Sequence, residues 1–348
     1  MKTRKIGIIG HFCINGNRMD GQTVKTKEIN KYIEQYYGEE TLKFDTYKNN
    51  RNPIKIIMKT YNIIKNSQNV ILIVSSRGYC ILLPIINFFN IFYKRKIFDF
   101  VIGGSRYEIF DKNKFIKKMA RKVNKIYVET GKIEEEYQKR GINNVEIIPN
   151  FKNVKPIEKK EIKNDTNKNK IKVCTFSRVN KAKGIEESIQ AIKIANEKMK
   201  SNIFELDIYG EIDKEYIEEF ENIRKDLPEF ICYRGCVNSK EAITTLKKYD
   251  IMLFLTYWKG EGFPGTIIDA FCSGLPVIAS NWNYNFDILE DGFTGYKVKI
   301  KDSEEVANKL IEIYKNQDEL IKMKYNCIKE AYKYSPEMAM KKFIEEVV

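Results

Sequence analysis

Short runs of β-branched and aromatic residues alternate along the whole chain with longer stretches whose apolar positions recur every three or four residues. The runs predict strands at 5–10, 41–47, 69–75, 97–103, 125–129 and 145–149 in the first half. In the second half they predict strands at 172–178, 204–210, 230–237, 250–256, 276–280 and 295–298. Helical spacing lies between them, most clearly over 22–37 and 53–66. Such regular alternation predicts parallel sheets covered on both faces, since a strand buried on both sides is apolar throughout. Two such series predict two doubly wound α/β domains. Between them, residues 153–170 (NVKPIEKKEIKNDTNKNK) are polar, rich in Lys and Asn, and read as a linker. The expected division is 1–152, linker 153–170, 171–335, and a C-terminal helix over 336–348 that could pack on either domain.

Composition sharpens this. At 348 residues and 43% hydrophobic, the chain can bury two cores. The net charge of +14 is uneven: residues 1–150 hold 28 basic and 14 acidic side chains, whereas 151–348 hold 33 of each. The excess therefore belongs to the first domain, which suggests two units with different tasks. One histidine and no Cys-x-x-Cys argue against a zinc site. The seven cysteines fall mostly in apolar runs and read as buried, reduced thiols of a cytoplasmic protein. The start MKTRKIGIIGHF has a short apolar stretch and no small-residue cleavage site, which predicts no secretory signal. The run 79–93 is shorter than the roughly 20 residues that span a bilayer and contains Pro84.

The richest segment is 256–280, TYWKGEGFPGTIIDAFCSGLPVIAS. A buried strand leads into a loop with Gly260, Gly262, Pro264 and Gly265, and a helix follows. In a parallel sheet ligands bind at the carboxyl ends of strands, and a helix start there offers amides to a phosphate. Read alone, the segment fits equally a glycine-rich turn with two solvated acids, Glu261 and Asp269. In the same way Arg178 and Lys183, at another predicted strand end, suit a pyrophosphate as fork and point charge, or are two of 61 surface cations.

GEGFPGTIIDAFCSGLPVIAS resembles the signature of the retaining glycosyltransferases of family 4. That resemblance implies the GT-B fold: two Rossmann-like, doubly wound domains facing across a cleft. It implies that Glu261 contacts the donor sugar and Asp269, where the family usually has Glu, the nucleotide ribose. Phe176-Ser177-Arg178-Val179 and Lys181-Ala182-Lys183-Gly184 are similar to the family's strand-end Arg and Lys, so Arg178 and Lys183 are expected at the diphosphate with catalytic Glu261. Gly262, Phe263, Pro264, Gly265, Thr266 and, after LDIYG, Gly210 are expected to hold the donor. YRGCV, YDIMLFL, DGFTG and Pro149-Asn150 extend the likeness over nearly all of 145–300.

The first half resembles the family more loosely. In 9–21 (IGHFCINGNRMDG) Gly21 stands where the family has the second glycine of a Gly-Gly turn, and DGQTVKTKE resembles members that build capsular or other cell-surface polysaccharides. Asp20 also suits a helix N-cap. Candidates for the N-domain side of the cleft are His11, Gly21, Gln22, Gly103 and Gly104, with Arg106 adding charge. A structural place is the stronger reading for His11, since one histidine shows no partner in the sequence. The stretch 112–125 (KNKFIKKMARKVNK) has seven basic residues and no acid, with Phe115, Ile116, Met119 and Val123 at helical spacing. It reads as an amphipathic helix that either packs inward or meets anionic lipid. The run 79–93, followed by Lys-Arg-Lys, reads as a buried helix or as one whose end dips into a membrane.

The expectation is thus a retaining, metal-independent glycosyltransferase without a cofactor. It takes a UDP- or GDP-sugar donor and a glycan or undecaprenyl-type lipid-linked acceptor, and is cytoplasmic or peripheral on the inner membrane face. No Asp-x-Asp occurs. The rivals are a non-catalytic GT-B binder of nucleotide-sugars or partners, and a nucleic-acid-binding protein. The latter is suggested only by charge and lacks any matching motif, so no nucleic acid partner is expected.

Overall fold

The structure is a computed structural model that describes residues 4–14, 16, 21–47, 52–162, 165–283 and 285–347. In chain order the first unit contains β1 (Arg4–Gly10), α1 (Gly21–Tyr37), β2 (Leu42–Asp45), α2 (Pro53–Asn66), β3 (Ser67–Ile73), α3 (Ser76–Tyr93) and β4 (Lys96–Phe100). It continues with α4 (Ile109–Lys112), α5 (Lys114–Ala120), β5 (Lys125–Val128), α6 (Gly131–Lys139) and β6 (Val145–Ile147). The second unit follows with β7 (Ile171–Phe176), α7 (Ile185–Met199), β8 (Phe204–Tyr209), α8 (Ile217–Lys225), β9 (Ile231–Gly235), α9 (Ala242–Leu246) and β10 (Ile251–Phe254). After these come α10 (Gly265–Cys272), β11 (Val277–Ser280), α11 (Asn285–Ile288), β12 (Gly295–Val298), α12 (Ser303–Lys315), α13 (Gln317–Ala331) and α14 (Pro336–Val347).

Each unit is one six-stranded parallel sheet flanked by helices, so the doubly wound α/β reading holds for both. The first sheet has the order β2-β1-β3-β4-β5-β6, and the second β12-β11-β10-β7-β8-β9. Strand order therefore reverses between β1 and β3 in one sheet and between β7 and β10 in the other. The loops diverge at these points and leave a crevice at the carboxyl edge.

The strands form where apolar runs allow burial on both faces. Ile6, Ile8 and Ile9 of β1, and Ile251 to Phe254 of β10, are all buried. Helix starts are set locally. Asn52 accepts from Lys55 N at 3.1 Å ahead of Pro53, and Ser75 accepts from Gly78 N at 3.3 Å. Helix α3 buries Tyr79, Leu82, Leu83 and Ile86, yet leaves Ile81, Phe88, Ile91 and Phe92 exposed. The basic stretch 112–125 is not one helix. Asn113 ends α4 and caps α5 by accepting from Ile116 N at 3.0 Å, and the chain enters β5 at Lys125. Its apolar residues divide accordingly: Ile116 and Val123 are buried, while Phe115 points outward. Asp20 lies outside the described residues.

Residues 154–162 and 165–170 belong to the second unit. Ile157 donates its N–H to Cys272 O at 2.8 Å, and Ile157 and Ile162 are buried against Ile328. Lys168 pairs with Asp250, which also accepts from Lys324 at 2.8 Å. Of the seven cysteines, Cys13, Cys174, Cys272 and Cys327 are buried and Cys236 is exposed; none is in a disulfide. Burial pushes the Cys174 and Cys327 thiols well above their ordinary value, which leaves them unreactive.

The chain separates into residues up to Asn153 together with those from Ala339 onward, and a unit of Val154–Met338. Helix α14 thus completes the first core. Phe343 is fully buried, its ring 5.3 Å from Phe98 and 5.4 Å from Phe100, with Met340 beside it. Phe343→Ala is expected to cost the first unit about 3–5 kcal/mol. Urea unfolding followed by a probe in each unit should show the loss there and leave the second unit's midpoint in place.

Candidate active site

At the β7/β10 switch point lies a cavity of about 390 Å³ lined, among others, by Ser177, Arg178, Asn180, Lys183, Asp213, Trp258 and Glu261. Pro264, Gly265 and Thr266 complete the wall at the start of α10. Three elements meet here. The end of β7 delivers Ser177 and Arg178, the turn before α7 delivers Lys183, and the loop after β10 delivers Glu261.

The Lys183 turn is brought in by a glycine. Gly184 has φ +72°, and a Cβ there would stand 2.3 Å from Leu255 O. Only a residue without a side chain lets the turn rest on the end of β10. Tyr257 N–H then donates to Ala182 O at 2.8 Å, tying the two loops together. Lys183 Nζ reaches Glu261 Oε2 at 2.5 Å, and Thr256 Oγ1 donates to the same oxygen at 2.9 Å. The second close approach is at Gly210, φ +144°, where a Cβ would stand 1.7 Å from Ser177 O. Gly210 accordingly serves the site by seating the Ser177–Arg178 loop against the end of β8.

Arg178 is more open, 58% exposed, with Nη1 3.6 Å from Asp213 Oδ1. Asn180 Nδ2 donates to the other Asp213 oxygen at 2.6 Å. Asn180 Oδ1 is buried without a partner. Helix α10 begins after Pro264 with no side-chain cap, so its first amides are open to an anion at the cavity wall. Thr266 Oγ1 donates to Phe176 O at 2.9 Å and pins that start to the end of β7.

Residues 156–334, about half the chain, match the family described as glycosyl transferases group 1. The chain belongs to that family. An uncharacterized glycosyltransferase of Methanocaldococcus jannaschii is 30% identical over 165 residues, 46% of this chain and 40% of that protein. A Klebsiella pneumoniae protein described as an uncharacterized 41.2 kDa protein in the cps region is 30% identical over 155 residues, 44% of this chain and 39% of that protein. The chain thus spans well under half the length of these curated relatives. The solved complex of Anabaena HepE with UDP superposes with TM-score 0.74 at 13% identity, covering 99% of both chains. That likeness establishes the GT-B fold for this group 1 glycosyltransferase relative.

Within that frame, Glu261, Arg178, Lys183, Pro264, Gly265 and Thr266 stand together at the cavity. Gly262 and Phe263 are outside its lining. Phe263 is buried with its ring 5.2 Å from Tyr334, so it anchors the loop. Asp269 is buried just over one turn into α10 and is likewise outside the lining. Asn180, Asp213, Thr256 and Trp258 were not singled out by the sequence. Asp213 carried a weak signal, three residues beyond the strand-end glycine.

In the first unit, His11 and Gln22 line a separate cavity of about 430 Å³ at the ends of β1, β2 and β3. Gly21 opens α1 and a Cβ there would meet open space. Gly103, at φ +82°, and buried Gly104 form the turn after β4, outside that cavity. Arg106 does not add charge to a site. It is buried, its Nη1 reaching both Asp99 carboxylate oxygens at 2.8 and 2.9 Å while Nη2 donates to Val74 O, and it lies over the Tyr79 ring. Burial pushes the Asp99 carboxyl above its ordinary value against the pull of that guanidinium.

Gly184→Ala forces an L side chain into the left-handed region and onto the Leu255 carbonyl. A loss of about 1–3 kcal/mol is expected in the second unit, read as a lowered urea midpoint.

Proposed function

We propose that this chain is a retaining glycosyltransferase that moves a sugar from a UDP- or GDP-sugar to a glycan or lipid-linked acceptor in cell-surface polysaccharide synthesis. The observation that carries the reading is Glu261, held by Lys183 and Thr256 at the wall of a cavity that also presents Arg178 and the uncapped start of α10. Family membership and the UDP complex of the Anabaena protein of the same fold support it. The Klebsiella relative's place in a cps region supports the polysaccharide assignment.

In this reading the donor diphosphate lies against Arg178, Lys183 and the α10 amides. As the bond from sugar to diphosphate breaks, its electron pair passes to the departing oxygen, where these donors meet the growing negative charge. Lys183, with three N–H groups, can serve Glu261 and a phosphate oxygen together. Glu261 is then set to accept from a hydroxyl of the donor sugar. The acceptor hydroxyl attacks from the face the diphosphate leaves and gives its proton to the departing phosphate oxygen, so configuration is kept without an enzyme nucleophile. Asp269 is assigned to the ribose, which requires movement of its buried carboxylate. Among the described residues no set of three or more His, Cys, Asp or Glu side chains converges as a metal site, and we read the two cations as sufficient for the diphosphate.

The basic stretch 112–125 and an anionic membrane surface form the second part of the proposal. No described helix is long and apolar enough to cross a membrane. Lys112, Lys114, Lys117, Lys118 and Lys122, beside exposed Phe115, are suited to lipid phosphates.

A screen of UDP- and GDP-sugars for nucleoside diphosphate release should find turnover that persists in EDTA. Glu261→Ala and Arg178→Ala should each lower it by about 100-fold. Unchanged turnover in either variant would reject these roles, while UDP binding without turnover would favour a non-catalytic binder. Replacing the five lysines with Gln should release the protein from anionic vesicles and leave UDP affinity unchanged; retained vesicle binding would reject the surface.

A further inference from the structure

We propose that Asp213 is the counter-ion Arg178 keeps while the β7/β10 cavity is empty. A diphosphate takes the guanidinium from it, and Asp213 reclaims Arg178 as the nucleoside diphosphate leaves. This concerns the release of product from the site proposed above and rests on that reading of the cavity.

Among the described residues, the charged lining of the cavity is Arg178 and Lys183 against Asp213 and Glu261. The wall is therefore balanced in charge, although a pocket for a diphosphate gains from an excess of cations. Each cation stands with one carboxylate, but the two pairs are not alike. Lys183 and Glu261 are 2.5 Å apart and largely enclosed, and Thr256 Oγ1 donates to the same Glu261 oxygen. Arg178 Nη1 is 3.6 Å from Asp213 Oδ1 and lies in the open. An exposed pair at that distance is weak and yields to a better partner, such as a phosphate that can accept from the guanidinium fork.

Asp213 is built to survive the exchange. It occupies the N-cap position of the short turn Lys214–Tyr216, yet its side chain makes no capping hydrogen bond there. Its backbone is placed by Val179, which donates to Glu211 O at 2.8 Å and accepts from Asp213 N at 3.0 Å. Asn180 Nδ2 donates to Asp213 Oδ2 at 2.6 Å. When Arg178 turns to a phosphate, the carboxylate keeps that hydrogen bond and is not left without a partner. The movement falls to the long arginine stem alone. Its use lies in the product. Cleavage turns the donor's diphosphate diester into a nucleoside diphosphate with a further ionisable oxygen, which the same cations hold more strongly. Slow release is a common limit on turnover. Asp213 competes for Arg178 at that moment, whereas Glu261 stays with Lys183 and Thr256.

Calorimetry with UDP, GDP and pyrophosphate tests this. Asp213→Asn keeps the shape of the side chain and removes its charge. It should tighten each ligand that wild type binds by about tenfold, the scale of one charge contact near a protein surface. Asp213→Glu, which restores the charge, should return to the wild-type affinity. In the Arg178→Ala background the gain from Asp213→Asn should shrink to about twofold or less, because the group competed for is gone. The sign separates exchange from positioning: if Asp213 only held Arg178 in place for the ligand, Asn would weaken binding. Unchanged or weakened binding at an unaltered urea midpoint therefore overturns the proposal, and so does an undiminished gain without Arg178. Should Asn lower the midpoint, Asp213→Ser makes the same comparison. If wild type binds pyrophosphate in this pattern but neither nucleotide, the donor reading fails and the exchange stands. If it binds none of the three, both fall.

Discussion

The second unit's chemistry depends on one close approach, that of the turn before α7 to the end of β10. Backbone lies on backbone at Gly184 and Leu255, and a methyl group would hold them apart. The Lys183–Glu261 pair in the cavity follows from this contact. Lys183 rides on the turn, Glu261 on the loop that continues β10, and the Tyr257–Ala182 hydrogen bond keeps them in step. A lysine on a long stem could reach a carboxylate from many places. Here its position is set by main chain, so the geometry offered to a ligand does not depend on the entropy of a mobile side chain.

The first unit reaches a comparable result with a carboxylate as the organiser. Asp45, at the end of β2, accepts from Phe12, Cys13, Ile14 and Tyr47 N–H groups at 2.9–3.3 Å and so shapes the loop that follows His11. The buried Asp99–Arg106 pair fixes the ends of β3 and β4 through Val74 O. In both units the reversal of strand order opens a crevice, and a few obligatory contacts determine which side chains stand in it.

Much of this was legible beforehand. Each of the twelve described strands overlaps a predicted run, and central ones such as β10, buried on both faces, are apolar throughout. Strand ends were less so: 97–103 was expected where β4 stops at Phe100, since Val101 and Ile102 continue the apolar run into the turn at Gly103. The basic stretch 112–125 has helical spacing throughout, yet Asn113 divides α4 from α5 and α5 ends at Ala120. Arg106 was expected to add charge to the cleft, but the turn after β4 folds it back onto Asp99, seven residues earlier on that strand, and buries both. Glu261, Arg178 and Lys183 were legible through a resemblance, whereas Asp213 and Thr256 enter the site through packing of loops far apart in sequence. Nor did the segment 154–170 betray its role, since among its described residues only Ile157 and Ile162 are buried between many lysines.

Helix α14 has a consequence for how the protein is made. Its Met340 and Phe343 belong to the core built by β1, β3, β4 and β5, but the ribosome delivers them only after the whole of Val154–Met338. Domains usually fold in the order of synthesis. Here the unit that is translated first must wait, with the socket for Phe343 unfilled, while the second unit closes its own sheet. The nascent first unit therefore exposes aromatic surface during that interval, which makes it the stage of biogenesis most in need of a chaperone.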